Sequence, residues 1–187
     1  QQPEVQAADT IMTVTDLKMH FPVTRGLFKR QVGAVKAVDG VSFSIKRGKT
    51  LGIVGESGSG KSTVGNCVMR NYDITSGQII FNGKDITHTP HRELRKLRNT
   101  LQMITQDPFA SLNPRMTIRQ SILEGVRIQR AYPRDEQDDL VTRMLELVGL
   151  NPRFADRYPH EFSGGQRQRI SIARALALQP SFIVCDE

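Results

Sequence analysis

A glycine-rich segment in the first third of the chain carries residue types that together bind phosphate. Glycines let backbone N–H groups approach an anion without a Cβ in the way, a lysine adds a cation, and a serine hydroxyl can bind Mg²⁺. The spacing Gly-x-x-x-x-Gly-Lys-Ser is typical of a P-loop, the alternative being a glycine-rich connecting turn. The candidate residues of this phosphate loop are Gly55, Glu56, Ser57, Gly58, Ser59, Gly60, Lys61, Ser62 and Thr63.

Two carboxylates stand at the end of the sequence, directly after a short apolar run. Asp186 and Glu187 follow residues 182–185, Phe-Ile-Val-Cys, whose composition is typical of a strand. A carboxylate at a strand tip can bind Mg²⁺, and a second one can orient or deprotonate a water molecule. A strand that ends in two acidic residues more often only meets a solvated loop, so this hypothesis depends on the phosphate loop upstream.

A second pair of glycines precedes a helical pattern between those two segments. Ser163, Gly164, Gly165 and Gln166 place a hydroxyl and two glycines at a predicted helix N-terminus. Backbone N–H groups and the helix dipole favour anions there. The same residues also suit a plain N-cap, with Ser163 as the cap and the glycines easing the turn, and both interpretations stay open.

Hydrophobic periodicity predicts the elements that must position these residues. Alternation predicts half-buried strands over 11–21 and 41–45, whereas residues 50–54 are apolar on both faces, as in a buried parallel strand. A short strand followed by Asn82-Gly83 predicts a hairpin turn. The remaining predictions are helices over 64–70, 89–98, 117–130, 135–150 and 164–178, and strands over 78–81, 101–104 and 182–185. The order strand, phosphate loop, helix indicates an α/β nucleotide-binding core, into which the successive helices are inserted.

Composition and charge exclude several classes of protein. The chain has 187 residues, 38% hydrophobic and 24% charged, which is typical of a globular domain and not of a disordered, collagen-like or disulfide-rich chain. Cys67 and Cys185 have no Cys or His neighbours at metal-ligand spacing, so no zinc site is indicated, and the apolar stretches are too short to cross a bilayer. The net charge is +7, but the basic residues are scattered without interleaved aromatics, which argues against nucleic-acid binding.

Four ordered motifs resemble those of the ATP-binding subunits of ABC transporters. In that family residues 55–63 correspond to Walker A, Gln106 to the Q-loop glutamine, residues 162–166 to the signature motif and residues 181–187 to Walker B. The resemblance implies an α/β fold with a P-loop (RecA-like) core, an antiparallel β-subdomain and an inserted α-helical subdomain over about 116–162. Residues 1–10 would be a linker or disordered, and residues 11–187 an ATPase domain that is incomplete at its C-terminus.

The resemblance also implies a site and its ligands. ATP and Mg²⁺ would bind at the phosphate loop, with Ser62, Gln106 and Asp186 around the metal. Lys61 and Glu187 would be the catalytic residues, with Glu187 acting on the attacking water.

Further implications of the resemblance concern partners. Subunits of the family pair head to tail, so a second ATPase subunit or domain is expected, and integral membrane permease subunits and, indirectly, an extracytoplasmic substrate-binding protein would complete the system. The chain would lie at the cytoplasmic face of the cell membrane, with no nucleic-acid partner. The residues that would complete the neighbouring subunit's ATP site are Ser163, Gly164, Gly165 and Gln166.

Three stretches, residues 37–43, 106–116 and 158–169, are similar to the ATPases of oligopeptide, dipeptide and glutathione importers. We therefore expect an ATPase that powers peptide import. ABC-type ATPases of DNA repair or chromosome maintenance are an alternative, although a very long coiled coil separates their Walker A from their signature. ABC proteins of translation, which have two fused ATPase halves, are another alternative. Because the sequence starts at Gln1, the segment could also be the second half of a tandem transporter ATPase.

Both ends of the sequence look cut, and the D-loop and switch histidine that follow Walker B in the family are absent from it. His20, His88, His91 and His160 do not stand at positions from which they would replace that histidine. We therefore expect the 187-residue segment alone to hydrolyse ATP weakly or not at all.

Overall fold

The computed structural model divides the chain into two units, Gln1–Leu94 and Arg95–Glu187. An antiparallel sheet dominates the first unit. The structure describes residues 9–25, 30–107 and 111–186. The strands are β1 Thr10–Arg25, β2 Arg30–Lys46, β3 Ser76–Phe81 and β4 Lys84–Asp85, in the order β2-β1-β3-β4. The strands predicted over 11–21, 41–45 and 78–81 lie within them, so those predictions are confirmed.

Strand β1 changes its buried face at a β-bulge around Asp16. Met12 and Val14 are buried before the bulge, and Leu17 and Met19 are buried after it. The register with β2 shifts between Val14 and Leu17, and Asp16 has a φ of 46°. Because an extra residue turns all later side chains to the other face, the bulge keeps the apolar side chains of both halves in the core.

The first unit also contains a tight hairpin turn and two short helices. The β3–β4 hairpin turns at Asn82 and Gly83, whose φ values of 50° and 74° are those of the predicted hairpin turn. Helix α1, Lys61–Val68, contacts β1 and β2 and buries Val64, Cys67 and Val68. Helix α2 runs over His91–Leu97, within the predicted range, and buries Leu94.

The strand predicted over residues 50–54 is absent, and that prediction is wrong. Residues 51–56 have no regular secondary structure, and Val54 is 93% exposed. A strand needs a neighbouring strand for its backbone hydrogen bonds. Among the described residues, the four strands of this unit pair with one another and none pairs with this segment. An apolar composition therefore does not predict a strand unless a neighbouring strand is available to pair with it.

A two-stranded parallel sheet and a group of helices form the second unit. Strand β5, Leu101–Ile104, pairs with β6, Phe182–Cys185, with Leu101 opposite Phe182 and Ile104 opposite Cys185. The α-helices among its described residues are α3 Ile118–Gln129, α4 Gln137–Leu147 and α5 Gly164–Leu176. Short 3₁₀-helices lie at Arg134–Glu136, Pro152–Phe154 and Pro159–Glu161.

A continuous hydrophobic core joins α3, α4 and α5. Its fully buried members are Ile118, Ile122, Leu123, Val126, Leu145, Ile170, Ala173 and Ala177. The predicted helices and strands are confirmed here, with helix ends displaced by at most three residues. Helices α3 and α4 lie within residues 116–162, the stretch predicted as a helical insertion, and the mixed α/β class is confirmed.

Candidate nucleotide site

The phosphate loop wraps around the ammonium group of Lys61. Lys61 Nζ donates to the carbonyl oxygens of Gly55 at 2.9 Å and Glu56 at 2.8 Å. An ammonium has three N–H donors, so two bonds to the loop leave one for an anion. Residues 55–59 are exposed, and helix α1 begins at Lys61. The loop therefore presents a fixed cation and a helix N-terminus to solvent, which together suit a phosphate group.

Gly60 has a steric reason for its identity, whereas Gly55 is crowded only by a serine side chain that can rotate away. Gly60 has a φ of 94°, and a Cβ there would lie 2.2 Å from the carbonyl oxygen of Ala37 in β2. At Gly55 a Cβ would lie 2.7 Å from Ser59 Oγ. The backbone of β2 therefore passes directly against the first turn of α1, where only glycine fits.

Gln106 and Asp186 lie at the same edge of the parallel sheet. β5 ends at Ile104 and β6 at Cys185, and these two residues are paired. The backbone N–H of Asp186 donates to the carbonyl of Ile104 at 2.9 Å, which extends the strand pairing by one residue. Because the carboxyl ends of parallel strands meet at one edge, the exposed Gln106 and the half-buried Asp186 both follow that edge.

A capping box forms at the start of helix α5. Ser163 Oγ accepts from the backbone N–H of Gln166 at 3.3 Å, and Gln166 Oε1 accepts from the backbone N–H of Ser163 at 3.0 Å. The N-cap interpretation of this segment is thereby confirmed. A Cβ on Gly164 or Gly165 would meet none of the described residues within 4 Å, so packing against those residues does not require glycine at either position.

Comparison with known proteins decides the family. The chain matches the ABC transporter family over residues 38–187, which is most of its length. It belongs to the ABC transporter family. The motif resemblance seen in the sequence is thereby confirmed.

Relatives of this ABC transporter chain have names that refer to peptide transport. It is 57% identical over 180 residues to the oligopeptide transport ATP-binding protein AppF of Bacillus subtilis, covering 96% of the chain and 55% of that protein. It is 49% identical over 187 residues to the glutathione import ATP-binding protein GsiA of Salmonella paratyphi A, covering 100% of the chain and 30% of that protein. The chain thus spans about half the length, or less, of these curated relatives.

A solved structure has the same fold. The ATP-binding cassette MJ0796, described as a dimer in a post-hydrolysis state with ADP and Pi, matches with a TM-score of 0.83 and 27% identity. The match covers 95% of this ABC transporter chain and 74% of that one. The predicted fold class is therefore confirmed by structure as well as by sequence.

The predicted site residues of this ABC transporter chain belong to both units. The phosphate loop is in the first unit, whereas Gln106, residues 163–166 and Asp186 are in the second. Within the second unit the structure brings Gln106 and Asp186 to one sheet edge and places residues 163–166 at the start of α5. Glu187 lies outside the described residues.

The donor types of the predicted metal ligands suit Mg²⁺. Ser62, Gln106 and Asp186 offer a hydroxyl, an amide and a carboxylate oxygen, and Mg²⁺ prefers oxygen ligands and few carboxylates when phosphates are present. Among residues 9–25, 30–107 and 111–186 there is no cluster of three or more His, Cys, Asp or Glu that could hold a metal ion. No helix in the described part of the chain is long and apolar enough to cross a membrane.

Sequence patterns did not single out several residues that shape these segments. The backbone carbonyl of Ala37 occupies the space where a Cβ on Gly60 would stand, and a carbonyl carries no sequence signal. Ser111 contacts Ser171 and Arg174, which lie 60 and 63 positions further along the sequence. Such contacts depend on tertiary packing, which periodicity does not report.

Proposed function

We propose that this chain binds Mg-ATP and, paired with a second ATPase subunit or domain, hydrolyses it to power the import of peptides. Integral membrane permease subunits would form the path, an extracytoplasmic binding protein would deliver the peptide, and the ATPase would sit at the cytoplasmic face of the membrane. The names of the oligopeptide and glutathione relatives support the substrate class. The family and the dimeric cassette that matches support ATP hydrolysis by a pair.

The observation that carries the proposal is the arrangement of the phosphate loop around Lys61. Two hydrogen bonds to the carbonyls of Gly55 and Glu56 fix the lysine over the exposed turn before α1. A cation held in advance loses little conformational entropy when a phosphate binds, and its hydrogen bond to an anion is stronger than a neutral one. The β- and γ-phosphates of ATP fit a loop of this type.

Four further residues complete the proposed chemistry. Ser62, Gln106 and Asp186 would supply oxygen ligands to Mg²⁺, which when bound neutralises charge that develops on the phosphates. Glu187 would accept hydrogen bonds from the attacking water and orient it toward the γ-phosphate. The shared sheet edge of Gln106 and Asp186 supports their joint assignment.

Residues 163–166 are proposed to complete the ATP site of the paired subunit. The capping box fixes Ser163 and Gln166 at the start of α5, where N–H groups and the helix dipole favour an anion. Gly164 and Gly165 leave open space beside the backbone, since a Cβ at either would meet none of the described residues within 4 Å. A phosphate held by another subunit could therefore approach this backbone closely.

The test is uptake of a labelled pentapeptide, and separately of labelled glutathione, into proteoliposomes that contain the full protein with its permease subunits and binding protein. We expect Lys61→Ala to abolish ATP hydrolysis and uptake, whereas Lys49→Ala, an exposed lysine outside the loop, leaves both unchanged. Gly164→Ala should preserve the melting temperature yet lower hydrolysis at least about tenfold, since its methyl group occupies the space for the phosphate. Uptake sustained by Lys61→Ala would contradict the proposal, and stimulation by DNA or ribosomes in place of peptide would favour the other ABC classes.

A further inference from the structure

The segment that follows Gln106 is fastened to helix α5 at Ser111. Ser111 Oγ and Ser171 Oγ lie 2.5 Å apart, within hydrogen-bonding distance. The guanidinium of Arg174 donates through Nη1 to the carbonyl oxygen of Ser111. Ser171 and Arg174 are three residues apart on α5 and so lie on one face of the helix. One residue of the segment is thus held by both its side chain and its backbone.

The environment of this contact makes it costly to break. Ser171 is 3% exposed and Arg174 is half-buried. Burial lowers the pKa of Arg174, and attraction to the carboxylate of Glu124 on α3 opposes that change. A cation that is partly removed from water needs a good acceptor, and the Ser111 carbonyl is an acceptor that the structure gives Arg174.

A backbone hydrogen bond extends this contact back to the candidate site. The N–H of Ser111 donates to the carbonyl oxygen of Asp107 at 3.2 Å, and Asp107 is the residue directly after Gln106. On the other side of Ser111, Leu112 is buried in the helical core. Arg174 and Ser171 therefore restrain Ser111, and Ser111 is hydrogen-bonded to the residue next to Gln106.

The same helix carries the residues proposed to meet the second nucleotide. Ser163 caps α5, and Ser171 lies eight residues further along, about two turns or 12 Å at 1.5 Å per residue. Ile170, Ala173 and Ala177 bury the helix in the core, so it is expected to move as a unit.

We propose that Arg174 and Ser171 are positioning residues, which hold the Gln106 segment on helix α5 and thereby set the place of Gln106 for ATP hydrolysis. This inference rests on the proposed role of Gln106 and of residues 163–166. Neither side chain needs to touch nucleotide, because their contacts run to Ser111 and through Asp107 to Gln106.

The test measures kcat, KM and ATP affinity for the full protein in complex with its permease subunits. Arg174→Lys replaces a planar, multi-donor group by a point charge, and Ser171→Ala removes the hydroxyl at nearly constant volume. We expect each to lower kcat about fivefold with ATP affinity changed less than about twofold, as for a group that acts only in the reaction step. When Gln106→Ala is already present, each substitution should lower kcat by less than about twofold further. The reason is that the effects of substitutions are non-additive when one residue acts through the other.

Three controls separate the possible outcomes. Arg143→Lys, an exposed position of α4, should leave kcat unchanged, and the melting temperature of every variant shows whether it folds. If Arg174→Lys fails to fold, Ser171→Ala decides the question alone. A kcat for the folded variants equal to that of Arg143→Lys, or the same decrease with and without Gln106, would overturn the inference. Full turnover by Lys61→Ala would instead overturn the proposed function on which it rests.

Discussion

Gly60 constrains the phosphate loop through two independent features. Its φ of 94° is one that side chains other than glycine's rarely adopt, and the Ala37 carbonyl oxygen occupies the space where a Cβ would stand. Gly48 shares the first feature, with a φ of 67°, but a Cβ there would meet nothing within 4 Å. Substitution of Gly48 therefore tests backbone strain alone, whereas substitution of Gly60 tests strain together with a steric clash.

We expect Gly60→Ala to destabilise the fold by about 2–3 kcal/mol, against about 1 kcal/mol for Gly48→Ala, because only the former adds a clash with backbone. Gly60→Ala should also weaken ATP binding, since relief of the clash must move either β2 or the first turn of α1. Denaturant unfolding and calorimetric titration with Mg-ATP measure both effects. Equal losses of stability and of affinity for the two variants would contradict this account of the loop.

At the scale of elements, Asp85 ties the β3–β4 hairpin together. Its carboxylate accepts from the backbone N–H of Thr87 at 2.8 Å and from Gln78 Nε2 at 2.7 Å. Thr87 Oγ1 in turn accepts from the backbone N–H of Ile79 at 2.8 Å. Hydrogen bonding from the Thr87 side chain, then from Gln78 and the Thr87 backbone, lowers the pKa of Asp85 from 3.8 to about 2.

This lowered pKa gives the hairpin an acid dependence with a definite sign. Because the pKa is lower in the folded state, the stability that Asp85 contributes is present above pH 3.8 and is lost as the pH falls through about 2. We expect Asp85→Asn to reduce the loss of stability between those pH values, compared with wild type and with Asp135→Asn at an exposed position of the 3₁₀-helix Arg134–Glu136. Unfolding free energies measured by circular dichroism at several pH values test this. An unchanged slope in Asp85→Asn would show that the carboxylate does not stabilise the hairpin.

Elements whose signals are local could be predicted from the sequence. Asn82-Gly83 dictates its turn by backbone chemistry, and the three-residue and four-residue spacing of apolar positions in α3 and α4 dictates helices. The bulge at Asp16 and the absent strand over 50–54 could not be predicted, since both depend on which neighbouring strand is available. Periodicity reports which face of an element is apolar and not what covers it.

At the scale of the whole molecule, the chain divides its chemistry between two units. The loop with Lys61 is in one, and Gln106, Asp186 and the capping box at Ser163 are in the other. The types of the loop residues could be predicted because phosphate chemistry requires them at that spacing, whereas Gln106 could be predicted only from the family resemblance. The restraint of Ser111 by Arg174 could not, because it joins residues 63 positions apart through a backbone carbonyl.

The central claim is that ATP binds at the phosphate loop through Lys61. Calorimetric titration of Mg-ATP into wild type, Lys61→Ala and the matched surface variant Lys49→Ala tests it most directly. We expect wild type and Lys49→Ala to bind alike and Lys61→Ala to bind at least about tenfold more weakly, the cost of losing a hydrogen bond between charged groups. Equal affinity of folded Lys61→Ala and wild type would contradict the claim and remove the basis of the proposed function.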